Sequence, residues 1–194
     1  MRLFVALDLE NEVRERISTY LLGVSGFAPE ARWATAGSLH VTLKFIGEQP
    51  ENEVARIQEA LGSLLIGPFT FAIREYGFFP TAKAARVFWL GIEADKDLPN
   101  LAAQVDSALA TLEIPREEHG FRPHLTLARS GSGAPRLRRE DESTSRFERL
   151  QKQLSLMTPP DFGTIAAREF HLYQSRLSPG GSRYSKLASF PLQG

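Results

Sequence analysis

The strongest constraint on this chain is that it repeats itself once. His40-Val41-Thr42-Leu43 returns as His124-Leu125-Thr126-Leu127, an offset of 84 residues, and the same offset lays Arg2-Leu3-Phe4 on Arg86-Val87-Phe88. A lone His-x-Thr-Leu is ordinary strand composition, but two matches sharing one offset point to internal duplication. Two copies make a pair of lobes, since a solenoid needs more repeats to stack. The expected organisation is one bilobal unit spanning residues 1–194, with repeats of about 1–84 and 85–194. If an approximate two-fold axis relates the lobes, His40 and His124 face each other across a cleft.

Hydrophobic periodicity supplies the elements. Residues 2–9 read as a buried strand, and residues 12–22 as a helix with Val13, Ile17 and Leu21 on one face. Strands over 38–47 and 69–78 flank a helix over 51–65 that aligns Val54, Ile57, Leu61 and Leu64. The order then restarts: strand 86–93, helix 97–112, strand 123–129, helix 146–156. Strands over 165–175 and 183–192 close the chain, and Ser178-Pro179-Gly180-Gly181 between them predicts a hairpin turn.

With 42% hydrophobic residues among 194, the chain can bury a core without covalent staples. It has no cysteine, which excludes disulfides, thiolate nucleophiles and cysteine-ligated metal centres, and suits a reducing cytoplasm. Its 23 Lys and Arg balance 23 Asp and Glu, so no global positive field gathers long nucleic acids and any phosphate recognition must be local. The apolar opening is interrupted at Asp8, too soon for a signal peptide, and no stretch reaches the roughly 20 apolar residues of a membrane span. A soluble cytoplasmic protein, monomeric by default, is expected.

Strand side chains alternate between faces, so His40 and Thr42 project together, as do His124 and Thr126, while Val41, Leu43, Leu125 and Leu127 anchor the strands. Imidazole titrates nearest neutrality, so one of a pair can start as base and the other as acid. Opening a phosphodiester needs both: water loses a proton as it attacks phosphorus, and the departing ribose oxygen gains one. The threonine hydroxyls can donate to the non-bridging oxygens where charge gathers. Spacing alone leaves open which histidine takes which role.

Other uses of these residues are less well supported. There is no His-Glu-x-x-His and no carboxylate at i+2 or i+4 from either motif histidine, so a metal site is not expected, and no Gly-x-Ser-x-Gly marks a serine nucleophile. His119 and His171 have no repeat partner and read as structural or surface residues. By alternation Lys44 shares the histidine face, whereas Phe45 and Arg129, each five residues after its histidine, fall on the other face unless a bulge or twist turns them. Trp33 reads as core, and Tyr173, Arg176 and Tyr184 as strand residues flanking the closing hairpin. Arg136, Arg138 and Arg139 beside Glu140, Asp141 and Glu142 read as a solvated loop, with an RNA-contacting flap as the sharper reading.

The two motifs, with Met1 through Leu7, Arg32-Trp33, Lys44-Phe45-Ile46-Gly47, Phe79-Pro80, Arg86 through Gly91, Ala128-Arg129, Leu172 through Ser175 and Arg183-Tyr184, give the chain a near end-to-end resemblance. It resembles the two-histidine (2H) phosphoesterases, and within them the bacterial RNA 2′,3′-cyclic phosphodiesterases, long named 2′-5′ RNA ligases. The resemblance implies a bilobal α+β fold: two pseudo-symmetric lobes of antiparallel sheet, backed by helices, around a central groove. It implies hydrolysis of a terminal RNA 2′,3′-cyclic phosphate to a 2′-phosphate, with no cofactor and no metal, on RNA 3′ ends or nucleotides. His40 would be the proton donor to the leaving oxygen and His124 the base; Thr42, Thr126 and Arg129 would bind phosphate, and Phe45 would lie against the base. Two alternatives remain open: joining or cleaving 2′-5′ linkages, and binding RNA ends or nucleotides without turnover.

Overall fold

A computed structural model of the chain describes residues 1–130, 146–178 and 181–193. In chain order the elements are β1 (Arg2–Leu7), α1 (Asn11–Val24), β2 (Ala31–Trp33), β3 (Val41–Glu48), α2 (Val54–Gly62), β4 (Phe69–Phe79), β5 (Val87–Ala94), α3 (Asp97–Ala110), β6 (His124–Ser130), α4 (Glu148–Leu154), β7 (Asp161–Ala167), β8 (Glu169–Ser178) and β9 (Gly181–Pro191). The fold is α+β. One antiparallel sheet runs β3-β1-β8-β9 and the other β2-β6-β5-β4-β7.

The sheets do not follow the two halves of the sequence. β4, the last strand of the first half, pairs with β5, the first strand of the second; β8 crosses back to pair with β1. The first half thus lends β2 and β4 to the sheet of β5 and β6, and the second lends β8 and β9 to the sheet of β1 and β3, which interlocks the two halves. Pairing also corrects the repeat register. Phe4 faces Phe45 while Val87 faces Arg129, so the first strands correspond at an offset one residue shorter than the histidine motifs do. The match of Arg2-Leu3-Phe4 with Arg86-Val87-Phe88 is therefore not a structural equivalence.

Helices cover the sheet faces that carry the apolar anchors. Val13, Ile17 and Leu21 of α1, Ile57 and Leu61 of α2, and Leu98, Leu101, Val105 and Leu109 of α3 are all buried. Burial of each such side chain contributes about 1.5–3 kcal/mol, and placing this surface on the outer faces leaves the opposite faces free for a groove. α3 contacts β3 of one sheet and β4 of the other, so it braces both from behind.

Three expectations need correction. Residues 165–175 are not one strand: β7 and β8 belong to different sheets, and the buried set shifts phase from Ile165 and Ala167 to Phe170 and Leu172 across the exposed pair Arg168-Glu169. The second helix is shorter than expected, because residues after Pro50 form a 3-10 turn (Glu51–Glu53) and the α-helix ends at Gly62, leaving Leu65 exposed. The short strand β2 was not foreseen, since three residues carry no readable period. The closing hairpin is present, with β8 and β9 paired antiparallel, while Pro179 and Gly180 of its turn lie outside the described residues.

Candidate active site

Both motif strands carry a bulge at the same place. On β3, Thr42 pairs with Ala6 and Lys44 with Val5, so Leu43 is skipped; on β6, Thr126 pairs with Trp89 and Ala128 with Phe88, so Leu127 is skipped. A bulge places two successive residues against one partner and resets the alternation. Leu43 and Lys44 are accordingly both buried, and Phe45 turns outward at 57% exposure; Leu127 and Ala128 are both buried, and Arg129 turns outward. The bulge therefore moves Phe45 and Arg129 onto the face of the histidines and threonines. It also removes Lys44 from that face. Lys44 is 3% exposed, its ammonium held at 2.6 Å by the Asp106 carboxylate and at 2.6 Å by the Pro115 carbonyl.

β3 and β6 lie in different sheets yet touch, which brings the two motif strands together. The guanidinium of Arg129 depresses the proton affinity of both imidazoles, so it reaches the field of both. Nδ1 of His124 donates to the Arg122 carbonyl, two residues earlier, at 2.7 Å, and the Ser38 backbone, two residues before His40, favours the protonated form of that ring. For His124 this fixes the tautomer and leaves Nε2 as the free nitrogen. Both rings are half-buried, as are Thr42 and Thr126, whose hydroxyls have no hydrogen-bond partner among the described residues.

The surroundings of the two rings differ. His40 packs against Phe4 (centroids 4.8 Å apart), Tyr184 (5.1 Å) and Tyr173 (6.4 Å). Burial pushes its pKa from 6.5 down to about 4, against the pull of the Ser38 backbone and the negative charge of Asp8. His124 meets the edge of Phe79 at 5.1 Å and lies 6.5 Å from Trp89, whose indole stacks on Phe79 and crosses Gly77 so closely that a Cβ there would overlap the ring. Burial lowers the His124 pKa as well, and Arg129 adds to it, with no carboxylate opposing. Both imidazoles therefore rest neutral near pH 7.

Several contributors were not singled out from sequence. Asp8 accepts hydrogen bonds from the Tyr173 hydroxyl and from Lys186, the latter at 2.9 Å, and lies beside the buried His171. Burial pushes the Asp8 carboxyl up, but these hydrogen bonds outweigh it and hold the group ionised. Its only visible trace in sequence is as the charge that ends an apolar run. Arg14 of α1 fixes the loop entering β3, donating to the carbonyls of Ala36 (2.6 Å), Leu39 (2.9 Å) and Leu9 (3.3 Å). Trp33 is half-buried, its indole donating to the Ala28 carbonyl at 2.9 Å. His171 is 1% exposed, with Nδ1 2.9 Å from the Ser189 hydroxyl. Arg136, Arg138 and Arg139 lie outside the described residues. Among the described residues no three of His, Cys, Asp and Glu converge as metal ligands, and no helix is long and apolar enough to cross a membrane.

Residues 11–160 match the family model of the 2′-5′ RNA ligase superfamily. The chain belongs to that superfamily. An RNA 2′,3′-cyclic phosphodiesterase of Archaeoglobus fulgidus is 33% identical over 190 residues, covering 98% of this chain and 99% of its own. One from Escherichia coli is 34% identical over 200 residues, covering 98% and 96%. Among solved structures, E. coli LigT complexed with 3′-AMP superposes with a TM-score of 0.78 at 30% identity over 100% of this chain and 98% of that one. TT0787 of Thermus thermophilus does so with 0.78 at 31%, over 100% and 99%. The chain is thus a member of the RNA 2′,3′-cyclic phosphodiesterase family within the superfamily, with the family's two-sheet architecture.

Proposed function

We propose that this protein hydrolyses the terminal 2′,3′-cyclic phosphate of RNA to a 2′-phosphate, without a metal, using His40 and His124 as an acid-base pair. The observation that carries this reading is the contact between two bulged His-x-Thr strands whose imidazoles both feel the guanidinium of Arg129. A single catalytic unit built by duplication accounts for that doubling, and the exchanged strands β4 and β8 support it.

In this mechanism the cyclic phosphate lies between the rings. Nε2 of neutral His124 takes a proton from water as its oxygen attacks phosphorus; the bond from phosphorus to O3′ breaks, and O3′ takes a proton from His40. The products are a 2′-phosphate and a 3′-hydroxyl. Thr42 and Thr126 donate to the non-bridging oxygens, Arg129 offsets their charge, and Phe45 stacks on the terminal base. Because both rings rest neutral, His40 must be protonated for the step. The bound phosphodiester anion favours that proton, and the Asp8 carboxylate opposes the burial that otherwise lowers the proton affinity of His40. Such positioned proton transfers are each worth about 10² to 10⁴ in rate.

The relatives named RNA 2′,3′-cyclic phosphodiesterases support the substrate, and the 3′-AMP complex of E. coli LigT supports a groove that admits a nucleotide. Incubating the protein, with EDTA, with an RNA ending in a 2′,3′-cyclic phosphate tests the proposal, with a 2′-5′-linked dinucleotide alongside. Formation of the 2′-phosphate is expected. A 3′-phosphate product, loss of activity in EDTA, or turnover of the 2′-5′ linkage alone would overturn it.

A further inference from the structure

We propose that Arg32 forms, beside Arg129, a second phosphate subsite for the internucleotide phosphate next to the terminal cyclic phosphate, which makes the preferred substrate an RNA chain end rather than a free nucleoside cyclic phosphate. The proposal rests on the cyclic-phosphate reading above and extends it by one nucleotide.

Arg32 is the middle residue of β2, the edge strand beside β6, and its Cα partner across the antiparallel pair is Arg129. Directly opposed residues leave the same face with Cβ atoms about 5 Å apart, so the two guanidinium arms rise side by side. Arg129 bears on both imidazoles and therefore faces the groove, and Arg32 must emerge on that side too. Arg32 bears on neither imidazole, which places it farther from the reacting centre.

Like charges directly opposed on a sheet oppose its formation, so this pair weakens the edge it occupies. Both side chains are exposed, and neither has an ion pair or a side-chain hydrogen bond among the described residues. The same sheet supplies carboxylates to arginines elsewhere: Arg74 lies 3.3 Å from Glu93 and 3.8 Å from Asp161. In a chain whose charges balance at 23 and 23, two adjacent arginines left without a carboxylate fit a ligand bearing two neighbouring anionic groups. One cyclic phosphodiester brings a single negative charge. The adjoining internucleotide phosphate brings the second. β2 is itself held in place, since the Trp33 indole donates to the Ala28 carbonyl and the Ala34 amide to the Leu127 carbonyl at 2.7 Å.

The test compares wild type with Arg32→Ala and Arg32→Lys on a nucleoside 2′,3′-cyclic phosphate and on a trinucleotide ending in one. In Arg32→Ala the ratio of kcat/KM for trinucleotide over mononucleotide should fall about ten-fold, mainly through KM, with partial recovery in Arg32→Lys. A neutral methylphosphonate at the penultimate linkage should lower that ratio in wild type and add little in Arg32→Ala. The melting temperature of Arg32→Ala should be unchanged or higher, because opposed charges are relieved. An unchanged ratio, or equal sensitivity of both variants and wild type to the methylphosphonate, overturns the proposal. The affinities of a 3′-phosphorylated trinucleotide and mononucleotide, measured by titration, provide a readout independent of turnover. If wild type turns over neither cyclic substrate, the hydrolase reading fails, while the Arg32 effect on relative affinity still decides the subsite.

Discussion

The two sides of the candidate site start from the same four-residue motif and end in different electrostatic settings. On the first side, His40 sits among Phe4, Tyr173 and Tyr184, with the Asp8 carboxylate near enough to favour its protonated form. On the second, His124 sits against Phe79 and Trp89 and feels Arg129 without a carboxylate to oppose it. The residue just past the bulge differs as well: Lys44, buried and paired with Asp106, stands where the other strand has Ala128. The two motif strands thus supply matched positions for two imidazoles, while the neighbours contributed by β8, β9 and the end of β1 bury His40 and give it a carboxylate that opposes that burial, which His124 lacks.

The largest effect should come from removing either ring. His40→Ala and His124→Ala are each expected to lower kcat/KM on the cyclic-phosphate RNA by about 10² to 10⁴, and either variant retaining full activity would break the pairing of the two sides. Asp106→Ala would leave a buried ammonium without its counter-charge and should cost about 3 kcal/mol of folding stability in denaturant titrations. Loss of activity at unchanged stability in that variant would instead put Lys44 back in the groove. Phe45→Ala should raise KM about ten-fold by removing a stacking surface while leaving kcat nearly constant. Asp8→Asn should have the mildest effect, a several-fold fall in kcat that grows as pH rises, because His40 then holds its proton less well. A pH-independent loss would assign Asp8 a packing role only.

Much of this site was legible in the sequence, for a physical reason. His40, Thr42, His124 and Thr126 stand at strand spacing, and period two survives any change in how strands are assembled into sheets. What alternation could not deliver was the bulge. It depends on pairing across to Val5, Ala6, Phe88 and Trp89, so Lys44 was placed on the groove face and Phe45 and Arg129 off it. The division of strands between sheets was hidden for the same reason, since Ile165 and Phe170 both read as β although they lie in β7 and β8 of separate sheets. Asp8 and Arg14 act through contacts distant in sequence, Asp8 with Tyr173 and Lys186 and Arg14 with Ala36 and Leu39, which no local pattern announces.

The most direct test of the acid-base pair is the pH dependence of kcat/KM, which reports the free protein. Both imidazoles have their pKa lowered by burial, so each loses its proton at lower pH than a free histidine at 6.5. The active form carries one proton on the pair, and its share should peak on the acid side of 6.5 and decline as both rings become neutral. The profile for kcat should lie at higher pH, because the bound phosphodiester anion favours the imidazolium. A bell-shaped kcat/KM profile centred below 6.5 is the predicted result; a flat profile, or one rising steadily through pH 8, would contradict the histidine pair as acid and base.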